Sequence, residues 1–158
     1  MVAFPKEVNL QFFDEETKNP IANLVVLLTL FAHRKNDYDV GPGFTDKNGL
    51  VAFGRNDCLK SIDDSKRMFL MDYSSSLEQC LPKVQLKIMS QEELEGCIEA
   101  RRKYKSLFES SCDCSEEFFQ RLRSSVNVNY RADSFTFTEE ELHHPGPRVI
   151  YARRKLAA

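Results

Sequence analysis

The sequence predicts a mainly β (α+β) domain, an antiparallel β-sandwich with a helical hairpin packed on one of its sheets. Three observations support this fold class. Residues 1–89 contain short apolar stretches of strand length, separated by polar turns. One stretch, 24–32 (LVVLLTLFA), is apolar on both faces and needs cover on both sides. Residues 90–126 carry apolar side chains at helical spacing, which supply that cover.

The length of 158 residues suits a single domain, 1–158. Within it we expect sandwich strands over 1–89, a helical pair over 90–126, and returning strands with a basic tail over 127–158. The formal net charge of −2 gives no general attraction to nucleic acid or to an anionic membrane. The composition therefore excludes strongly basic proteins that bind nucleic acid or anionic membranes through their overall charge.

The cysteines and the N-terminus indicate a compartment. Five cysteines occur without the regular spacing of a disulfide framework, which is typical of thiols that stay reduced. The N-terminus lacks the apolar run of a signal peptide, and residues 21–32 are too few to span a bilayer. We therefore expect a cytoplasmic protein without a membrane span, with a part of a larger protein or signal-independent export as alternatives.

Alternation and β-branched composition predict the strands. In the first, Val8, Leu10 and Phe12 alternate with polar residues, and the polar cluster 14–20 (DEETKNP) ends it as a turn. Further strands are predicted at 24–32, 44–45, 50–53, 68–73 (MFLMDY), 83–89 (KVQLKIM), 134–138 (SFTFT) and 148–152 (RVIYA).

The stretch FTDKNGLVAF, 44–53, contains a polar turn at 46–49. Asp46 suits the first position of a type I turn, and Gly49 tolerates a positive φ at the fourth. We interpret this turn as a hairpin corner. A cation site is the alternative, but only Asp46 and Asn48 offer local side-chain oxygens, and such a site needs several.

The helical pair begins with a capping box, because Ser90 is followed three residues later by Glu93. The first helix is predicted to end near 109–111, and the second starts after Asp113 or Ser115. The predicted apolar stripes are Leu94, Cys97, Ile98, Tyr104, Leu107 and Phe108 in the first helix, and Phe118, Leu122 and Val126 in the second. We expect these stripes to cover the outer face of strand 24–32.

Two turn motifs in order carry a family resemblance. The first motif is matched by Asp14, Thr17, Pro20 and Ile21, with Asn19 where the family usually has Gly; the second is matched by Thr45, Asp46 and Gly49. Together they resemble the carboxypeptidase regulatory-like modules, which are related to Cna-B and transthyretin (prealbumin-like) β-sandwiches.

The resemblance covers residues 6–53 well and 68–89 loosely, whereas 90–126 departs from it as an insertion or extension. It implies a prealbumin-like antiparallel β-sandwich and a mostly non-catalytic role, as a spacer, a folding partner or an interaction module. Two enzyme branches share related sandwiches, the hydroxyisourate hydrolases and the intradiol dioxygenases. Their catalytic residues find no matching pattern here, so no catalytic residue is carried over.

Cysteines and histidines supply the candidate catalytic and metal-binding residues. Cys112, Cys114, His143 and His144 offer thiolates and imidazoles for zinc, but the C-x-C spacing is tighter than that of structural zinc sites. A nucleophilic pair of His33 with Cys58, Cys80 or Cys97 is a second candidate, although Cys97 falls on the apolar stripe. We expect no catalytic residue, no bound metal and no cofactor.

Two basic clusters, 101–105 and 153–155, are candidate contacts for nucleic acid. Nearby glutamates neutralise the first, and the second is expected to be a solvated tail. The sequence therefore predicts a binding or assembly module for a protein or, alternatively, a carbohydrate, with a protein partner or self-association through a sheet edge. A small hydrolase-like enzyme with a site where the helices meet the sheet, and a metal-binding module, are the alternatives.

Overall fold

The computed structural model describes residues 7–32, 37–54, 80–103, 115–138, 140–141 and 146–156. The strands are β1 Glu7–Asp14, β2 Val25–Ala32, β3 Asp37–Phe44, β4 Leu50–Gly54, β5 Cys80–Ile88, β6 Ser134–Thr138 and β7 Arg148–Ala152. The helices are α1 Gln91–Lys103 and α2 Glu116–Arg123, followed by a 3-10 turn, Val126–Asn129. The predicted strand 68–73 lies outside the described residues.

The strands form two sheets, which confirms the sandwich. One sheet has three strands in the order β4-β1-β7, and the other has four in the order β3-β2-β5-β6. Among the described strands every pair is antiparallel except β1 and β7, which run parallel with Phe12 opposite Ile150. The antiparallel description therefore needs one correction: this pair joins strands more than a hundred residues apart, and no hairpin fixes their direction.

The core between the sheets follows from the alternation seen in the sequence. Along β1 the burial pattern alternates strictly at first, with Val8, Leu10 and Phe12 turned inward. Side chains from both sheets meet them and exclude water: Val26, Leu28, Val40, Val51, Phe53, Leu86, Ile88, Phe137 and Ile150. Period-two burial is thus the main reason these segments form strands.

The turn at 46–49 has the predicted geometry but joins different elements. The Gly49 N–H donates to the Asp46 carbonyl at 2.9 Å, and the Asp46 carboxylate accepts from the N–H groups of Asn48 and Leu50. Gly49 has φ +78°. The hairpin interpretation is wrong, because β3 pairs with β2 whereas β4 pairs with β1. The turn is a corner that carries the chain from one sheet to the other.

The turn after β1 is organised by Asp14. Its carboxylate accepts from the N–H groups of Glu16 and Thr17 at 2.9 and 3.1 Å. Lys18 has φ +63°, so the left-handed position of this turn is Lys18 rather than Asn19.

Both helices cover the outer face of the four-stranded sheet, as predicted. Val25 and Leu27 of β2 point away from the inter-sheet core and pack in a second cluster with Met89, Leu94, Ile98, Phe119 and Leu122. The helices run antiparallel, because Glu95 near the start of α1 pairs with Arg123 at the end of α2, and Arg102 pairs with Glu116. The capping box is confirmed by reciprocal bonds between Ser90 and Glu93 at 3.1 and 3.2 Å.

The predicted stripe of the second helix needs correction. Phe119, not Phe118, is the deeply buried aromatic side chain, with 1% of its surface exposed, and Phe118 is only half-buried. Phe119 and Leu122 are three residues apart and share the sheet-facing side. Val126 follows the helix and packs against the inter-sheet core instead. Tyr104, Leu107, Phe108 and the predicted end of the first helix lie outside the described residues.

Candidate interaction surface

The outer face of the three-stranded sheet has no described element packed on it. Phe13 of β1 and Val149 and Tyr151 of β7 point outward there, and we call these three residues the β1–β7 patch. Val149 is 50% exposed and Tyr151 49% exposed, although both are large and apolar. Phe13 is half-buried, and its ring centroid lies 6.0 Å from that of Tyr151. The patch is therefore a contiguous apolar surface left in contact with water.

The register explains why these side chains meet. Phe13 is the cross-strand partner of Tyr151, and Gln11 is that of Val149. Strict alternation turns all four outward, because their neighbours Phe12 and Ile150 fill the core. Because one face of β1 and β7 is buried in the core, the side chains of the opposite face must point outward.

β7 is also an edge of its sheet. Backbone groups of alternate residues in a strand point to opposite edges. The Ala152 carbonyl accepts from Glu15 N–H on the β1 side, whereas the Arg153 carbonyl accepts from Arg131 N–H on the far side. Val149 and Tyr151 have the same parity as Arg153, so their N–H and C=O groups point away from β1. Within the described ranges no strand pairs with them there.

Positive charge borders the patch. The Lys18 ammonium lies 4.8 Å from the centre of the Tyr151 ring, a cation–π contact. At the other end of β7 the Arg148 Nε donates to the Glu141 carbonyl at 2.5 Å. These contacts place the Lys18 ammonium over the Tyr151 ring and hold the Arg148 side chain at the other end of β7.

A buried carboxylate anchors the far end of β7. Asp14 is 2% exposed, and its Oδ2 accepts from the Tyr130 hydroxyl at 2.8 Å and from Arg154 Nε at 2.7 Å. An antiparallel bridge joins Tyr130 to Arg154, and Lys155 N–H donates to the Asn129 carbonyl. The segment after β7 is therefore fastened to both β1 and the 3-10 turn.

The pKa values follow from this geometry. Burial alone would raise the pKa of Asp14, but the hydrogen bonds from Arg154, Tyr130 and the turn N–H groups outweigh it and hold the pKa well below its ordinary value. Burial, together with the hydrogen bond to Asp14, raises the pKa of Tyr130 to about 12. Asp14 is thus a permanent anion at neutral pH and Tyr130 a permanent donor, an arrangement that suits anchoring rather than proton transfer.

The predicted basic tail is accordingly not simply solvated. Arg154 is half-exposed and forms the ion pair with Asp14, and Arg153 lies 3.5 Å from an Asp133 carboxylate oxygen. In the first basic cluster Arg101 is buried and donates to the Gly41 carbonyl at 3.1 Å. The described arginines of both clusters thus make internal contacts, whereas residues 104 and 105 lie outside the described ranges.

Arginine and phenylalanine side chains meet where α1 and α2 reach the end of β3. The Arg121 guanidinium lies 3.8 Å from the centre of the Phe44 ring, and that of Arg101 lies 4.9 Å from Phe118. Phe44 and Phe118 contact edge to face, with centroids 5.8 Å apart. These contacts fasten the helical layer to β3.

Most of the other predicted site residues fall outside the described part of the chain. Those outside the described residues are Cys112, Cys114, His143, His144, His33 and Cys58. Cys80 begins β5, and Cys97 is half-buried beside the cluster under the helices. In the described part of the chain no group of three or more His, Cys, Asp or Glu is placed to hold a metal ion.

Sequence reasoning missed both the patch and the Asp14 anchor. The sequence shows that Val149 and Tyr151 alternate with Ile150. It does not show which of the two sheets the helices cover, and therefore which outer face stays exposed. Asp14 was assigned only to its turn, because Tyr130 and Arg154 lie 116 and 140 residues away along the chain.

Comparisons with protein-family models, with curated proteins and with solved structures find no match to this chain. None of the described helices combines the length and hydropathy needed to cross a membrane. What the molecule does is therefore inferred from its own surface.

Proposed function

We propose that this chain is a non-catalytic β-sandwich module that binds another protein through the β1–β7 patch and the adjoining edge of β7. The observation that carries this proposal is the exposure of Val149 and Tyr151, about half of each side chain, on a strand that ends its sheet. Exposed apolar clusters and open strand edges are both features of protein-binding surfaces.

The composition of the patch favours a protein partner over a carbohydrate. Phe13 and Tyr151 offer ring surface, and the outward backbone groups of β7 offer a ladder for an added strand. A small-molecule or sugar site would instead need a concave surface with several convergent polar groups. The resemblance of residues 6–53 to carboxypeptidase regulatory-like modules points to the same non-catalytic role. We place the module in the cytoplasm, because five cysteines without a disulfide framework suit a reducing compartment.

Site-specific photo-crosslinking tests the proposal. A Tyr151→benzoylphenylalanine variant carries the photoreactive group within the patch. The matched control is Glu117→benzoylphenylalanine, because Glu117 is exposed on the helical layer, on the opposite side of the sandwich. After irradiation in an extract of the native source, we expect discrete protein adducts from the variant at 151 and few from the control. Equal labelling at both positions, or none at 151, contradicts the proposal.

A further inference from the structure

We infer that the protein bound at the β7 edge is a second copy of this chain, paired strand to strand about a two-fold axis at Ile150. This inference rests on the proposed function, since it names the occupant of the β7 edge that adjoins the patch. Three features of β7 support it: the backbone groups that point away from β1, the registers that these groups permit, and the charges that each register would bring together.

The direction of the backbone groups of β7 restricts the registers in which two copies of the strand can pair. In an antiparallel pair, opposite residues are either both hydrogen-bonded across the pair or both not. The outward backbone groups of β7 belong to Val149 and Tyr151, so these two residues must face each other, or themselves, in the partner. Three two-fold registers satisfy this condition within the strand, centred on Val149, on Ile150 or on Tyr151.

The two outer registers lose bonds. Centring on Val149 places Pro147 opposite Tyr151, and proline has no N–H to donate. Centring on Tyr151 places Arg153 opposite Val149, although the Arg153 carbonyl already accepts from Arg131 at 2.8 Å. It also places Arg148 directly opposite Arg154, which is destabilising.

The register centred on Ile150 keeps both pairs between Val149 and Tyr151, and its conflict is confined to the end of the strand, where Pro147 falls opposite Arg153, whose carbonyl already accepts from Arg131. Val149 of one copy lies opposite Tyr151 of the other, twice, and each pair exchanges both backbone hydrogen bonds. These are β-branched–aromatic cross-strand pairs, a favourable type. Arg148 faces Ala152, so no like charges meet. The two-fold axis is perpendicular to the sheet, so the two patches merge into one apolar surface on the same face.

Neighbouring residues limit the length over which two β7 strands can pair. Beyond Tyr151 the edge is occupied by residues 129–131, which bond to Arg153 and Lys155. In this register the second copy brings Pro147 to the same point, so the pairing extends no further than residues 148–152 and the second copy must turn away from the edge at Pro147. A five-residue ladder buries less than the roughly 1,600 Å² of a standard interface, so we expect a weak, concentration-dependent dimer.

Charge substitution tests both the dimer and its register. In the Val149→Lys/Tyr151→Lys variant, lysines face each other twice across the axis. In the Val149→Glu/Tyr151→Lys variant, each glutamate faces a lysine, but only in the register centred on Ile150, since the other two registers oppose like charges at position 149 or 151. Both positions are about half-exposed on an edge strand, and thermal unfolding verifies that each variant is folded.

Sedimentation of the purified chain over a range of concentrations is the measurement. We expect the wild-type mass to rise toward twice the monomer value, the double-lysine variant to stay monomeric, and the Glu/Lys variant to dimerise again in a salt-sensitive manner. Dimerisation that persists in the double-lysine variant, or a folded Glu/Lys variant that remains monomeric at low salt, overturns the inference.

Crosslinking separates this failure from that of the proposed function. Benzoylphenylalanine at position 151 should give an adduct of twice the chain mass in the purified protein alone. A monomeric wild type whose position 151 captures only other proteins overturns self-pairing and leaves the proposed function standing. A monomeric wild type without any adduct overturns both.

Discussion

Asp14 is the residue at which three distant parts of the chain converge. It ends β1, caps the following turn through two backbone N–H groups, and accepts from Tyr130 and Arg154. A buried carboxylate is costly unless its oxygens are fully hydrogen-bonded, and here four donors satisfy them. The end of β7 is thereby held in place next to the exposed patch.

We expect Asp14→Asn to lower the free energy of unfolding by about 2–3 kcal/mol at neutral pH, because the amide cannot accept all four bonds. The loss should depend on pH. The pKa of Asp14 is depressed in the folded state, so its stabilisation is present above the unfolded pKa of about 3.9 and is lost as the pH falls toward the folded value.

Urea unfolding of wild type and variant at neutral pH and near pH 3 measures this effect. The free energies of unfolding of the two proteins should differ clearly at neutral pH and less near pH 3, where the Asp14 carboxyl is protonated in the unfolded chain but still ionised in the folded one. Asp46→Asn is the matched control, because Asp46 also caps a turn but is exposed. A difference between wild type and Asp14→Asn that stays constant down to pH 3 contradicts the assigned role.

Gly49 is the second residue with a strict requirement. Its φ is +78°, and a Cβ at this position would collide with the Phe12 carbonyl oxygen. We expect Gly49→Ala to destabilise the chain by about 2–4 kcal/mol, of which about 1 comes from the positive φ and the rest from the overlap. Gly96→Ala is the control, since Gly96 lies within α1 with nothing within 4 Å of its Cβ position.

Gly96→Ala should raise stability by roughly 0.5–1 kcal/mol through helix propensity. The denaturation midpoints of Gly49→Ala and Gly96→Ala are each compared with that of the wild type. Similar shifts in both would show that the close approach of Gly49 to β1 does not matter. Added calcium should leave the wild-type midpoint unchanged if the turn is only a corner.

At the scale of elements, α2 shows how a short helix selects its buried face. Phe118 and Phe119 are adjacent, yet only Phe119 lies beneath the helix against the sheet. Phe118 instead contacts Phe44 and the Arg101 guanidinium at the border of the layer. Two turns of helix give too few apolar positions to define a stripe by spacing alone.

This difference leads to a comparison of two substitutions. We expect Phe119→Ala to destabilise the chain by about 3–5 kcal/mol, because it leaves a cavity between α2 and β2. Phe118→Ala should be milder, about 1–2 kcal/mol, because its side chain is only half-buried. Thermal unfolding of both variants measures which substitution destabilises the chain more. A larger destabilisation by Phe118→Ala would show that Phe118, as predicted from spacing, is the main buried aromatic residue of α2.

The sequence predicted elements better than it predicted their partners. The alternation in β1 and the capping box at Ser90 are local signals, and both appear in the structure as expected. The turn at 46–49 has the same local chemistry whether it closes a hairpin or crosses between sheets, so pairing could not be derived from it. The β1–β7 patch depends on long-range pairing and on the side chosen by the helices, which no local pattern specifies.

At the scale of the whole molecule, the chain enters and leaves the helical segment at neighbouring points of the sandwich. The Asn127 side chain donates to the Met89 carbonyl at 2.8 Å, and it also bonds to both backbone groups of Val25. Met89 precedes the capping box of α1 and Asn127 follows α2. We therefore expect that a short glycine linker can replace residues 90–126 without stretching the strands.

We expect such a deletion of 90–126 to yield a chain that associates, because Val25, Leu27 and Met89 lose their cover. Adding Leu27→Lys to the deletion should reduce this association, since the lysine ammonium would lie in the uncovered face. Light scattering of the three proteins measures the effect. A deleted chain that remains monomeric and folded would show that the helical layer is dispensable for the sandwich.

The parallel pairing of β1 with β7 also determines the order of assembly. β1 can pair with β4 once the first 54 residues exist, but its other edge must wait for residues 148–152, which are synthesised last among the strands described. Contacts of such long sequence separation slow folding, and chains dominated by them fold in milliseconds to seconds. Until β7 docks, β1 presents an open edge and an incomplete core, so the interval before this final step is the period in which the nascent chain most needs protection from aggregation.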